Sequence, residues 1–391
     1  MTDETLPIGF SESGIEKTAK RRYSNKNTKR REILEMRSYR KYTEIQQELA
    51  RFILDRRSAG ETRLEGERSL AERFGAGRPS VAKALRELEK QELVRITKGG
   101  ILIPPFRQKL KYAYLASYHA TNHTFWFLAY KQLWDELNRI ASARGFKIEL
   151  ILNDPDDGLA ATEALAEQCR DFDLVFVSLM GHFKENKLLE LFSRNGVRAV
   201  ILDENIEYES FPLCALDNRA VGSLAAQILV ERGYRKTALL APIINTASLD
   251  FLNRISGFSS AMRKLGGYCH LYSTNASGGI DDLKMLQQRI MRLPAQGYDS
   301  VFYLDDNWVM LSDPLIEAGK VPEFGILAVD GTMTSRMHNP PIDTISHATL
   351  PLAERLCSIV EQSELGQFRF DPAERILIPP QYLRGKTLRA K

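Results

Sequence analysis

The side chains best suited to chemistry stand close together in the first quarter of the chain: Arg78, Ser80, Lys83 and Arg86. Guanidinium, hydroxyl and ammonium groups donate hydrogen bonds, which suits phosphate oxygens and the acceptor edges of bases. Val81, Leu85 and Leu88 recur at spacings of four and three and mark the buried stripe of a helix that opens at Arg78-Pro79. The four polar side chains fall largely off that stripe, toward the N-terminal half of the helix, where a DNA-reading helix meets its target. No catalytic constellation competes with them. The chain has no Gly-rich phosphate loop, no Gly-x-Ser-x-Gly elbow and no His-Glu-x-x-His, so nothing nominates a reaction or a cofactor. Cys169, Cys214, Cys269 and Cys357 are scattered without ligand spacing and read as reduced thiols, not as a zinc site or disulfides.

The elements that must hold this helix are legible around it. From Tyr42, the apolar residues Ile45, Leu49, Phe52 and Ile53 give a first helix ending near Gly60, with Thr43 and Gln46 suited to a capping box. A second helix is predicted over 67–74, burying Leu70, Ala71 and Phe74, with Gly75 placed to end it in a left-handed conformation. Leu93-Val94-Arg95-Ile96 and Ile101-Leu102-Ile103, joined through Thr97-Lys98-Gly99-Gly100, read as a hairpin. Three helices and a hairpin make residues 42–103 a winged helix-turn-helix whose partner is double-stranded DNA. Charge agrees with this: residues 1–110 hold 25 basic and 16 acidic side chains, against 29 and 34 in the remainder. Each Lys or Arg placed on a phosphate releases condensed counterions, so a basic end suits a polyanion. Residues 1–41 carry few large apolar side chains and are expected to be a basic disordered tail, either simply solvated or an arm in a DNA groove.

The run from Leu64 through Gly75, followed by Arg78-Pro79-Ser80-Val81 and Leu85-Arg86-Glu87-Leu88, resembles the GntR-type winged helix. The resemblance implies DNA contacts by Arg68 on the second helix and by Arg78 and Ser80 on the third. It also implies that Gly99, beside Lys98 at the wing tip, approaches the minor groove. Glu65-Gly66, Gly77 and Ala82 depart from the family pattern at positions used for capping or base contact, which moves the expected specificity onto Lys83 or Arg86.

After Pro104-Pro105 and a short basic linker (104–110), strand-length apolar runs alternate with amphipathic helices over 111–391. Candidate strands lie at 112–117, 147–152, 174–178, 199–202, 237–240, 300–303 and 325–328, a pattern of parallel βαβ units. Such sheets bind ligands at the carboxyl ends of their strands. Asp173 to Val177, Val200 to Asp203, Asp217 to Gly222, Arg254 to Phe258, Asp305-Asp306, Leu327 to Asp330 and Leu383 to Thr387 together resemble the periplasmic-binding-protein-like sensor of LacI-type regulators. A GntR-type head on such a sensor is the pairing found in arabinose repressors. The implied fold class is α/β, an N-terminal winged helix-turn-helix plus a two-lobed sensor. The implied ligand is a sugar or other small metabolite, held by Asp217, Arg254, Asp305, Asp306, Asp330 and His347. Phe125, Trp126 or Trp308 would pack on the C–H face of a sugar. Each position has a plainer reading: Asp217 and Asp306 as helix caps, His347 as an interior histidine, the tryptophans as core. Asp305 stands where the family often has Asn, which adds charge to the cleft.

The resulting expectation is a homodimeric, cytoplasmic transcription regulator, a repressor whose operator affinity is set by the effector. A cytoplasmic solute-binding protein or an activator of the same fold is the main alternative, and a catalytic α/β protein a weaker one. The polar N-terminus and the lack of any apolar run of about 18 to 20 residues argue against export or a membrane partner.

Overall fold

The computed structural model describes residues 42–57, 59–104, 108–117, 128–154, 158–178, 183–202, 210–242, 249–274 and 280–390. The basic tail 1–41 and the candidate residues Phe125 and Trp126 lie outside these ranges. The chain divides into two compact units, Met1–Arg107 and Gln108–Lys391.

In the first unit, α1 (42–57) already runs at Tyr42, so Thr43 lies inside the helix and is not its cap. Its inner face buries Ile45, Leu49, Ile53 and Leu54 against Leu70 and Ala71 of α2 (Glu67–Arg73) and Val81, Ala84, Leu85 and Leu88 of α3 (Arg78–Lys90). Phe74 is only half-buried. It follows the last residue of α2, and its ring meets the edge of Phe52 at 5.6 Å. Gly75 at φ +56° makes the left-handed turn that lets α3 start three residues later. The wing is a three-stranded sheet rather than a hairpin alone. The strand β1 (Arg63–Leu64) pairs antiparallel with β3 (Gly100–Leu102), which pairs with β2 (Arg95–Thr97). Leu93 and Val94, predicted as strand, are buried ahead of the ladder and seat it on the helices.

In the second unit, the strands in chain order are β4 (Tyr112–Ser117), β5 (Ile148–Asn153), β6 (Leu174–Ser178), β7 (Ala199–Ile201), β8 (Leu213–Leu216) and β9 (Lys236–Pro242). They continue as β10 (Tyr268–Thr274), β11 (Ser300–Tyr303), β12 (Gly325–Asp330), β13 (Asp343–Ser346), β14 (Arg375–Ile378) and β15 (Gln381–Leu383). They form two six-stranded sheets, ordered β14-β8-β7-β6-β4-β5 and β10-β9-β11-β12-β13-β15, and every pairing is parallel except β13 with β15. The first sheet is packed on one face by Leu188, Leu189 and Phe192, the second by Leu286, Trp308 and Leu315, giving each lobe its own core. Trp308 is therefore core of the second lobe.

The chain passes between the lobes three times. It crosses at Asp217, between β8 and α5 (Asn218–Glu231); at His347-Ala348, between β13 and α7 (Thr349–Glu364); and at Pro379-Pro380, between β14 and β15. The strands β8, β10, β13, β14 and β15 are absent from the expected set. In β13 the reason is chemical: Asp343 and Thr344 are polar yet buried. Asp343 accepts the backbone N–H of Gly385, Thr387 and Leu388 at 3.0, 2.8 and 2.9 Å, so the closing Leu383 to Thr387 segment satisfies its charge.

Candidate functional site

The first site is the exposed surface of α3 and the wing. Arg78, Lys83 and Arg86 are exposed and Ser80 half-buried, off the stripe formed by Val81, Leu85 and Leu88. Lys83 Nζ rests 4.5 Å from the centre of the Tyr42 ring. Arg68 pairs with Glu72 and Arg78 with Glu67, each at 3.3 Å and each with a well exposed guanidinium. Exposed pairs of this kind exchange readily for phosphate because water screens them. Glu89 accepts the N–H of Ile96 at 2.6 Å and ties α3 to the wing, while Arg57 donates to the Leu93 carbonyl at 2.9 Å. At the wing tip, Lys98 and Gly99 are exposed, but the left-handed backbone belongs to the next residue, Gly100 at φ +125°. Arg63 and Arg95 face Leu102 from both sides in register, which puts two further exposed guanidiniums on one face of the wing. Sequence reading named neither as a DNA contact: Arg63 lies in a two-residue strand that leaves no periodicity to detect, and Arg95, although in a predicted strand, gains its neighbour only through that pairing.

The second site gathers where the lobes meet. Arg254, on α6 (Leu249–Lys264), is buried; its Nε donates to Asn218 Oδ1 at 2.8 Å and its Nη1 to the Leu304 carbonyl. Its Nη2 lies 3.6 Å from Asp330 Oδ1. What lets α6 reach this place is a pair of glycines. A Cβ on Gly222 would fall 2.6 Å from Phe258 N and collide with the Arg254 carbonyl, and one on Gly257 would collide with the Arg219 carbonyl. His347, at the second crossing, has Nδ1 3.5 Å from the same Asp330 oxygen, and the Tyr130 ring of α4 (Leu128–Ala143), from the first lobe, meets it at 5.7 Å. Asp330 holds φ +91°, a conformation an L-residue rarely adopts, as strained residues at ligand sites often do.

Asp305 is buried and accepts the Asn307 N–H at 3.0 Å. Asp306 is fully buried with both oxygens engaged, by the N–H and hydroxyl of Thr332 and by the Ser335 hydroxyl. Its geometry is that of a brace behind the site. Asp217 caps α5 by accepting the Ala220 N–H at 2.8 Å. Among the described residues, Asp330 Oδ1, His347 Nδ1 and the buried hydroxyls of Ser117 and Ser178 have no hydrogen-bond partner. The two serines end the neighbouring strands β4 and β6, Ser178 opposite Ala116, at the carboxyl edge of the first lobe.

Electrostatics follow from burial. Burial and the nearby Asp330 charge push the Asp305 carboxyl up to about 8. Burial also raises Asp330 and Asp306. His347 is pushed down to about 4 by burial and by the Arg254 charge, so it is neutral at pH 7. Burial opposes the charge on Arg254, but the carboxylates of Asp330, Asp250 and Asp305 outweigh it and raise its pKa. Asp250, one helical turn before Arg254, and Asn218, which orients it, are site residues that sequence reading missed; the i, i+4 spacing on α6 was the available signal for the first. Among the described residues no group of His, Cys, Asp or Glu is arranged to hold a metal ion, and the four cysteines are unpaired.

The family model for bacterial regulatory proteins of the gntR family matches residues 41–101. Residues 41–101 are a gntR-type DNA-binding head. The second unit has the fold seen in solved LacI-type regulators. The transcriptional regulator CelR in its cellobiose complex is similar at a TM-score of 0.57 and 18% identity, covering 79% of this chain and 90% of that one. A LacI family transcriptional regulator from Enterococcus faecium with bound ribose gives 0.55 and 19%, over 71% and 98%. The dimeric Lac repressor with an 11-residue C-terminal deletion gives 0.56 and 16%, over 72% and 99%. At such identities the likeness is one of fold. No curated protein matches the chain. In the gntR-type head two of the three sequence departures are visible as structure: Gly66 and Gly77 stand at the N-caps of α2 and α3 without a side-chain cap.

Proposed function

We propose that this chain is a transcription regulator, a repressor that binds its operator as a homodimer in the cytoplasm and releases it when a sugar-class effector closes the sensor. The observation that carries the reading is the joining of a gntR-type head to a LacI-fold sensor. The lobe junction of that sensor gathers Arg254, Asp305, Asp330 and His347. In the head, Arg68, Arg78, Ser80, Lys83, Arg86, Lys98 and Gly99 form the DNA surface, to which Arg63 and Arg95 add. In the sensor, Arg254 and the unpartnered atoms of Asp330, His347, Ser117 and Ser178 meet the hydroxyls of the effector, with Phe125 and Trp126 against its apolar face. Asp217 and Asp306 support the site through a cap and a brace. A cleft closed about three crossings changes the relation of two protomers, and with it the fit of two heads to half-sites about 34 to 36 Å apart. The cellobiose and ribose carried by two similar structures favour a sugar.

The test is a gel shift with the genomic region upstream of the gene at moderate salt, with and without a panel of pentoses, hexoses and disaccharides. A saturable complex that a sugar dissolves is expected. Failure to form any saturable complex would overturn the reading, and turnover of a bound sugar would replace it with an enzyme.

A further inference from the structure

We infer, on the reading of this chain as an effector-controlled regulator, that Glu364 and Gln108 are positioning residues: they grip the tether of the DNA-binding head and pass the state of the lobe junction to it. Both stand in the second unit, which the chain enters at Gln108. Only Ile103 to Arg107 separate the end of β3 from Gln108, and Pro104 and Pro105 are among them. From Gln108 onward the backbone is held residue by residue. The Gln108 side-chain amide exchanges two hydrogen bonds with the backbone of Lys147, donating to its carbonyl at 3.0 Å and accepting its N–H at 2.7 Å. The Glu364 carboxylate accepts the N–H of Lys109 on one oxygen at 3.0 Å and that of Leu110 on the other at 3.1 Å. The Tyr112 hydroxyl donates to the same carboxylate at 3.1 Å, and Asp173 accepts the N–H of Lys111 at 2.8 Å. A carboxylate that spans two consecutive amides with charge-assisted bonds fixes the direction of a chain as well as its position.

The two grips lie at the far ends of two helices that begin at the effector junction. Helix α7 starts directly after His347-Ala348 and ends on Glu364, a rod of about 24 Å at 1.5 Å per residue. Helix α4 starts beside the same crossing, where the Tyr130 ring meets His347 at 5.7 Å. Just past its end, Arg144 bonds Glu361 of α7 at 2.8 Å, and Lys147, the partner of Gln108, follows. The helices therefore run parallel and are fastened at both ends. Leu352, Leu356, Ile359 and Val360 bury the inner face of α7, so it moves as a unit. Ala348, also buried, holds φ +54°, a strained conformation for an L-residue, at the point where the chain leaves the second lobe. A rotation of that lobe acts on the first turn of α7, and Glu364 delivers it to the tether.

Hydrogen exchange of the full-length, ligand-free chain tests the grip itself. The Lys109 and Leu110 amides should exchange slowly. Glu364→Gln, which turns an N–H toward one of them, should speed both about tenfold or more. At the other end of the helices, His347→Ala should change the exchange of the same amides about threefold or more, and Tyr130→Leu serves if that variant does not fold. Operator binding is then measured on the upstream genomic fragment for the native chain and for Gln108→Ala combined with Glu364→Gln, with and without each sugar of the panel. The double variant should bind sugar as the native chain does in calorimetry, yet the effect of sugar on DNA affinity should shrink about tenfold or more. A merely structural role would lower the melting temperature and leave that effect whole. Rapid exchange of Lys109 and Leu110 in the native chain, no change there on altering His347 or Tyr130, or a full sugar response in the double variant overturns the inference and leaves the regulator reading intact. If no sugar alters the native complex, the two exchange results decide alone. A native chain that forms no saturable DNA complex removes both.

Discussion

Asp305 and His347 titrate in opposite senses, and the difference separates them by pH. Asp305 binds its proton up to about 8 in the native protein, whereas an unfolded aspartate loses it near 3.8. In that window the native state holds more protons, so stability falls as pH rises. His347, lowered to about 4 from 6.5, makes the native state poorer in protons between those values, so its contribution to stability rises with pH there and is complete above 6.5. From pH 6.5 to 8 only the Asp305 effect of this pair remains. The ligand-free sensor should therefore lose about 2 kcal/mol over that range. Calorimetric melting should show the loss in the native chain and a flat profile in Asp305→Asn. Arg254→Ala leaves buried carboxylates without their cation and should cost about 3 to 5 kcal/mol, read in a urea titration of the sensor transition. It should also abolish every effector response while the head still binds operator. On the head, Lys83→Ala and Arg86→Ala distinguish phosphate from base contact. Loss of a phosphate contact lowers the slope of log K against log salt by about 0.9, whereas loss of a base contact costs about 1 to 3 kcal/mol at one operator position and relaxes specificity there.

The helices that position these groups depend on two small residues. The helices α5 and α6 cross where Gly222 faces the Arg254 carbonyl and Gly257 faces that of Arg219. A methyl at either position meets backbone, which cannot swing aside as a side chain can, so the helices must separate. Gly222→Ala should destabilise the sensor by about 3 kcal/mol and weaken effector binding by moving Arg254 off Asn218. Lost effector binding together with an unchanged melting temperature would instead mark Gly222 as a contact residue. The same elements show what sequence periodicity conveys. Long amphipathic helices and the apolar parallel strands were legible because their side-chain pattern is set by burial. Leu213–Leu216 is too short to carry a pattern, and Asp343–Ser346 hides a buried carboxylate behind a polar composition.

For the whole molecule, charge asymmetry makes a distinct prediction. The excess of basic side chains in residues 1–110 includes eleven Lys or Arg between Lys17 and Lys41. Removal of residues 1–41 should lower affinity for unrelated DNA more than for the operator and flatten the salt dependence, because phosphate contacts carry no sequence information. Light scattering of the intact chain should give a dimer mass, and a monomer that binds single half-sites would remove the proposed means of coupling ligand to DNA.

The sequence by itself determined the gntR-type head, the α/β class of the sensor and the polar residues at its strand ends. These are local matters of burial period, turn residues and short motifs. Only the tertiary structure decided which polar residues meet. Asp217, Asp306 and Asp330 look alike as carboxylates beyond strands, yet one caps a helix, one is fully engaged by Thr332 and Ser335, and one keeps an unpartnered oxygen near Arg254 and His347. Arg63 and Arg95 become neighbours across β3, and Tyr130 reaches His347 from the other lobe. The physical reason is that hydrogen-bond satisfaction depends on groups brought together from distant parts of the chain, and no spacing along it records them.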